Sequence, residues 1–365
     1  MVRRSFALVL VAALAGSSTL RAQKDKPKQD DAQKKEIQNV VKVVDDVAAG
    51  QTAPDDLSIA WVREDVLKAQ GNKEYIPFTV AIDPSKVSGG KVAFYWRVVP
   101  SGGEPAEVAT TGQKNDKDKD KDKKDKDKKK SDYAYEDVSF VDIANAPPPV
   151  RISRSFTVPA GNYDVFVVAK EPTPEKAAKN APPPKMSVLK HSVTVPDFWN
   201  SELNTSSLII AQRIDPLPAP LTDQQRADRP YALGSMEIIP ALDTKFTKKS
   251  ELSTFMLIYN PKTDSANKPD VMVEYSFCQV AAGSEPKAGE PCKAGEKFFN
   301  KTNPQNLNAQ TLPPEFDLAA GHQLQSGQAV PLASFPEGQF RLEVKVTDKI
   351  ANKSLTRDVS FSVNP

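Results

Sequence analysis

One pattern, met twice, constrains this chain more than any other. Residues 159–169 read Pro-Ala-Gly-Asn-Tyr-Asp-Val-Phe-Val-Val-Ala, and residues 336–346 read Pro-Glu-Gly-Gln-Phe-Arg-Leu-Glu-Val-Lys-Val. Proline fixes φ and glycine permits φ > 0, so each copy starts as a turn. Past the turn, apolar and polar residues alternate. Phe340, Leu342, Val344 and Val346 interleave with Arg341, Glu343, Lys345 and Thr347. Successive strand side chains point to opposite faces, so this is a strand with one apolar and one wet face. Such a strand belongs in an antiparallel sheet on one layer of a core. In the first copy Tyr163, Val165 and Val167 take the matching steps, but Phe166 and Val168 make the other face apolar too. A polar loop and a closing alternating strand come after each copy, over 188–195 and through Val359, Phe361 and Val363. Two such hairpins predict tandem copies of one β-domain.

The Pro-x-Gly-x-aromatic-x-Val-x-Val pattern and its closing strand resemble the last hairpin of immunoglobulin-like or fibronectin-III-like sandwiches. Less specifically, the chain is similar to the immunoglobulin-like modules of bacterial secreted proteins, some of them attached to von Willebrand A-related domains. The resemblance is specific over the two hairpins and general elsewhere. It implies an all-β fold of two tandem Ig-like antiparallel β-sandwiches, and no activity. The Asp-x-Ser-x-Ser metal motif of von Willebrand A domains is absent, as is the Cys…Trp…Cys core of antibody domains.

The remaining segments order themselves around the hairpins. Residues 1–22 have the layout of a signal peptide, with Arg3 and Arg4 before an apolar run from Phe6 to Ala15, then small residues and Ala22 as the cleavage site. Residues 23–50 form a charged leader and an amphipathic helix. Ile37, Val40, Val41, Val44 and Val47 share one helical face, and Gly50 is placed to stop it. This face is expected to dock on the first domain, the alternative being a helical pairing with another protein. Residues 51–196 are read as the first sandwich, 197–205 as a linker, and 206–365 as the second sandwich. Within the first lies a Lys/Asp alternation, 114–132, read as a disordered solvated loop with nothing apolar to drive collapse. It lacks the glycine and the bidentate glutamate of an EF-hand loop. Pro77 interrupts the Ile76, Phe78, Val80, Ile82 strand pattern and points to an edge strand or a bulge.

Composition narrows the chemistry. Net charge is +2, so bulk charge does not argue for nucleic-acid binding. The whole chain holds two histidines and two cysteines. Cys278 and Cys292 flank a Gly/Pro-rich loop, and in an exported chain they are expected to pair as a disulfide. A Cys-only metal site needs more soft ligands than the chain has, and a nucleophilic cysteine would have only His191 or His322 as a base. No nucleophile elbow, phosphate loop, dinucleotide fingerprint or zinc helix is present. Phe198 and Trp199 are expected to pack where the two domains join, or to form an aromatic site for a sugar. Trp61 and Trp96 are read as core.

The sequence therefore favours a non-catalytic, secreted or periplasmic protein that binds or scaffolds at the cell envelope. Its partner would be an envelope protein or a polysaccharide. No cofactor, no nucleic acid and no transmembrane segment after signal cleavage are expected. One alternative is a secreted hydrolase or carbohydrate-active protein using Trp61, Trp199 or loop carboxylates. Another is a two-domain periplasmic chaperone with an exposed strand edge and a basic anchor, for which Arg213 is the candidate.

Overall fold

The computed structural model describes residues 31–102, 133–144, 146, 148–173, 182–285, 287 and 289–365. The signal-peptide segment 1–22, the leader to residue 30 and the Lys/Asp stretch 114–132 lie outside the described residues. The protein is all-β, with an N-terminal helix. Its described chain divides into two compact units: 31–64 with 69–197, and 65–68 with 198–365.

The first unit contains helix α1 (Asp31–Ala48) and strand β1 (Ile59–Glu64); β2 (Leu67–Lys68) is assigned to the second. The first unit continues with β3 (Glu74–Ile82), β4 (Lys91–Pro100), β5 (Tyr135–Asp142), β6 (Val150–Val158), β7 (Gly161–Lys170) and β8 (Met186–Val195). One sheet runs β5-β4-β7-β8, antiparallel throughout. In the other, β1 and β6 flank β3. The period-two residues Ile76, Phe78, Val80, Val98, Val165 and Val167 meet in the core, all fully buried. Burying each contributes roughly 1.5–3 kcal/mol. Phe78 stands edge-on to Trp96 at 6.2 Å, and the buried Trp96 indole donates to the Ser155 carbonyl at 3.2 Å. The edge-strand expectation from Pro77 is corrected here. β3 is internal to its sheet, and Pro77 is accommodated because β1 pairing ends beside it at Glu64↔Phe78.

Helix α1 answers the second apolar face of β7. Val40 and Val44 are fully buried against Tyr95, Phe166, Val168 and Val188. β-branched residues are mediocre helix formers, so this packing stabilises a helix that propensity alone would not. Two ion pairs pin it to the sheet, Lys170–Glu36 and Arg97–Asp45, each at 2.5 Å.

The second unit adds β9 (Asn204–Thr205), β10 (Ile209–Pro216), α2 (Asp223–Ala227), β11 (Ala232–Leu233), β12 (Met236–Pro240), β13 (Lys245–Thr247) and β14 (Glu251–Tyr259). β15 (Val271–Val280), β16 (Glu296–Lys301), β17 (Gln305–Leu307), β18 (Leu324–Ser326), β19 (Ala329–Pro331), β20 (Gly338–Asp348) and β21 (Lys353–Asn364) complete it. One sheet runs β11-β12-β10-β14-β18, with β9 and β19 also on β14. The other runs β13-β21-β20-β15-β16, with β17 also on β15. An aromatic cluster of Phe277, Phe335, Phe340 and Phe361 fills the core. Residues 198–205, read from sequence as most of a linker, are built into this unit. Phe198 is buried, and Asn204–Thr205 pairs with β14.

The two hairpins occupy equivalent places. The order β5-β4-β7-β8 matches β16-β15-β20-β21. Gly161 faces Val195 as Gly338 faces Val363, and Tyr163 faces Val193 as Phe340 faces Phe361. Both glycines hold positive φ, +155° and +138°, where a side chain is disfavoured. The outer faces differ. Phe166 and Val168 lie under α1, whereas their counterparts Glu343 and Lys345 belong to a polar face.

Candidate functional site

The sequence-predicted aromatics fall in the second unit. Phe198 is a core residue, 1% exposed, with its ring 4.9 Å from Tyr259. Trp199 beside it is 39% exposed. The Lys68 ammonium sits 4.3 Å over the Trp199 ring and donates to Asn260 Oδ1 at 3.1 Å. The Lys68 backbone N–H donates to the Tyr259 hydroxyl at 3.0 Å. Asn260 is held at φ +55° and its amide donates to the Phe198 and Glu202 carbonyls. This is a cation–π pair on a rigid polar support. Because Lys68 covers one face of the indole, a sugar has only the remaining exposed part to stack on.

Cys278 and Cys292 form the expected disulfide. Glu296 brings an oxygen within 4.8 Å of both sulfurs, but oxidised cysteines offer no thiolate, so this trio does not hold a metal. Glu296 is instead the partner of Arg341. Arg341 Nε donates to both its oxygens, at 2.8 and 3.1 Å, while the other nitrogens reach Glu343 and the Pro291 carbonyl. The Arg341 hydrogen bonds hold the Glu296 carboxyl below its usual range. Arg341 thus ties the disulfide loop to β20.

His191 sits on the inner row of β8, opposite Val165, and stacks on Trp61 at 4.2 Å. Trp61 stacks in turn on Phe78 at 5.0 Å, and its indole donates to Glu64 at 2.5 Å. His191 Nε2 lies 3.6 Å from Glu64. His322 accepts from the Asp317 N–H through Nδ1 and closes a loop. Arg213, the candidate chaperone anchor, is ion-paired to Asp215 at 2.7 Å. Under α1, Arg97 donates to the Tyr95 hydroxyl, which donates to Glu136; Tyr133 donates to the same carboxylate. Burial and Glu136 push Tyr133 up to about 12.

Sequence reasoning missed three cations: Lys68, Arg341 and Arg357. The first lies in a two-residue strand, the second takes an ordinary polar step of an alternating strand, and the third interrupts the apolar row of one. Only their long-range partners single them out.

No protein-family model matches the chain, and no curated protein aligns with it. Among solved structures it is similar to Salmonella alpha-2-macroglobulin reacted with methylamine, at 11% identity over 86% of this chain and 17% of that one, with a TM-score of 0.19. It is likewise similar to the native conformation of E. coli alpha-2-macroglobulin, at 10% identity over 86% and 16%, with a TM-score of 0.19. The chain spans about a sixth of the length of those proteins. At that TM-score the likeness supports no argument about fold or function. Among the described residues no helix is long and apolar enough to cross a membrane.

Proposed function

We propose that this chain is a non-catalytic exported module that binds or scaffolds at the cell envelope through two tandem Ig-like sandwiches. Its partner is an envelope protein or a polysaccharide. The first unit's seven strands in two antiparallel sheets over one core support the sandwich reading. The signal layout of 1–22 and the Cys278–Cys292 bridge support export.

One observation carries the non-catalytic reading. Both cysteines and both histidines of the chain are engaged in holding the fold: a disulfide, an aromatic stack and a loop closure. The disulfide leaves no thiol nucleophile, and His191, whose Nε2 has no hydrogen-bond partner among the described residues, has one ring face covered by Trp61.

The test is co-sedimentation of the purified mature protein with isolated native envelopes, run beside assays for new reducing ends and new amino termini. The reading expects saturable retention without turnover. Turnover of a polysaccharide or peptide, abolished by substituting one carboxylate, would overturn it.

A further inference from the structure

The closing strand of the second unit is longer than what covers it. On one side β20 pairs with β21 in unbroken register, from Gly338↔Val363 to Asp348↔Lys353. On the other, β13 reaches only Ser362, Val363 and Asn364. The Ser362 N–H donates to the Thr244 carbonyl at 2.8 Å, away from β20. Backbone direction alternates along a strand, so Ser360, Asp358, Thr356 and Ser354 aim their N–H and C=O groups the same way. All four residues are exposed. Among the described residues, the one group of that row with a partner is the Thr356 carbonyl, reached by Arg357 at 3.3 Å.

Arg357 is the unusual residue of this edge. It lies on the inner row, opposite the fully buried Val344 and between Leu355 and Val359. Its other hydrogen bond goes to Asn204 Oδ1 at 2.8 Å, and no described carboxylate pairs with it. Burial disfavours its charged form. A desolvated guanidinium without a counter-charge is costly unless something compensates it. The first unit differs here. Leu189 occupies the corresponding register position, opposite Val167. The start of β8 is covered by residues 54–56, with Val188 N–H on the Pro54 carbonyl and Asp56 N–H on the Met186 carbonyl. His191 next along is capped by Trp61.

We propose that the free edge of β21, from Ser354 to Ser360, is a docking edge for an extended segment of a partner protein that carries an acidic side chain opposite Arg357. The inference rests on the binding role proposed above and names its surface. Strand addition supplies main-chain hydrogen bonds, and a pocket or charge on alternate residues supplies specificity. A carboxylate gives Arg357 a charge-assisted bond that the fold itself omits. A second copy of this chain is the wrong occupant, because its own β21 brings another uncompensated Arg357.

The probe is a labelled ten-residue peptide of alternating threonine and valine with one central glutamate and blocked ends, followed by fluorescence anisotropy. Its control carries glutamine instead. The protein variants are Arg357→Gln and Thr356→Pro. The Thr356 N–H aims away from β20, so the proline removes no bond of the fold. Wild-type protein should bind the glutamate peptide saturably. The glutamine peptide and Arg357→Gln should each lose roughly tenfold or more, the size of one charge-assisted hydrogen bond. Thr356→Pro should abolish binding. No binding by wild type, or equal binding across peptides and variants, overturns the proposal. Self-association of Arg357→Gln without peptide binding also overturns it, by assigning Arg357 to edge protection. If both variants still sediment with envelopes as wild type does, the edge is wrong while the binding role stands. If wild type does not sediment, the binding role itself fails.

Discussion

Lys170 on β7 donates to Glu36 on α1 at 2.5 Å, and both side chains are more than nine-tenths buried. Lys170 also bonds the Glu171 carbonyl and the Thr173 hydroxyl, and Glu36 accepts from the Thr173 N–H at 3.0 Å. Removing one partner of a buried, hydrogen-bonded pair costs about 3–5 kcal/mol, whereas replacing both by apolar groups can be neutral. Lys170→Met and Glu36→Met should therefore each destabilise the first unit in urea titrations, and the double variant should recover most of the loss. The single losses are capped by the free energy of docking α1, since the helix can detach. Additive losses in the double variant would contradict this.

Acid should loosen the helix. Burial pushes the Glu36 carboxyl up, but hydrogen bonds from Lys170 and Thr173 outweigh it and leave the group below the ordinary 4.5. A depressed carboxylate contributes its stability fully above the unfolded value and loses it as pH falls through the folded one. Stability between pH 7 and pH 5 should thus be flat in this respect and should fall below 4.5. Glu36→Gln should be less stable at pH 7 and should show a shallower acid slope. An unchanged slope would show that Glu36 is not the group responsible.

Phe166→Ala should cost about 3–5 kcal/mol, in the range for a buried aromatic whose site cannot fully collapse. Phe166 is 4% exposed and packs with Val44 and Tyr95 under α1. The loss should appear together with faster amide exchange in α1. A truncation that begins after Ala48 should expose Tyr95, Phe166, Val168 and Val188 and raise self-association in analytical ultracentrifugation.

The Cys278–Cys292 bridge closes a loop of sequence separation 14. Its removal in a Cys278→Ala/Cys292→Ala variant should cost about 3 kcal/mol on the chain-entropy account. Arg341 holds the same loop through Glu296 and the Pro291 carbonyl. Arg341→Met and the disulfide variant should therefore couple, the combined loss differing from the sum of the two. Strict additivity, measured by urea midpoints, would show that the two restraints act independently.

The two hairpins, the helix and the disulfide were legible because each is written in local terms: a Gly-aromatic turn with period two, a 3/4 apolar step, and a pair of cysteines. The sequence showed an apolar helix face and a second apolar face at Phe166 and Val168, and the structure joins the two. The features that were not legible depend on distant partners. No change in composition marks 65–68 as belonging with 198–365, because that assignment rests on Asp65 meeting Tyr231 and Val66 meeting Ser207. Pro77 suggested an edge, yet β3 is internal and Pro77 sits just past the point where β1 pairing ends, at Glu64↔Phe78. Arg357 looks like any interruption of a closing strand until the edge beside it is found uncovered. Lys68 gains meaning only from Trp199 and Asn260.

One sheet of each unit shares a strand order, and the two differ in what covers them: in the second no helix packs on β20, whose outer face holds the disulfide loop through Arg341, and the edge of β21 is bare. Residue-resolved amide exchange on the purified protein, with and without solubilised native envelope, tests that reading directly. In the free protein the amides of Ser354, Thr356, Asp358 and Ser360 should exchange fast while those of Leu355, Arg357 and Val359, bonded to β20, exchange slowly. Adding envelope should slow the four fast amides selectively. Four amides already slow in the free protein, or four that stay fast when envelope binds, would contradict the account.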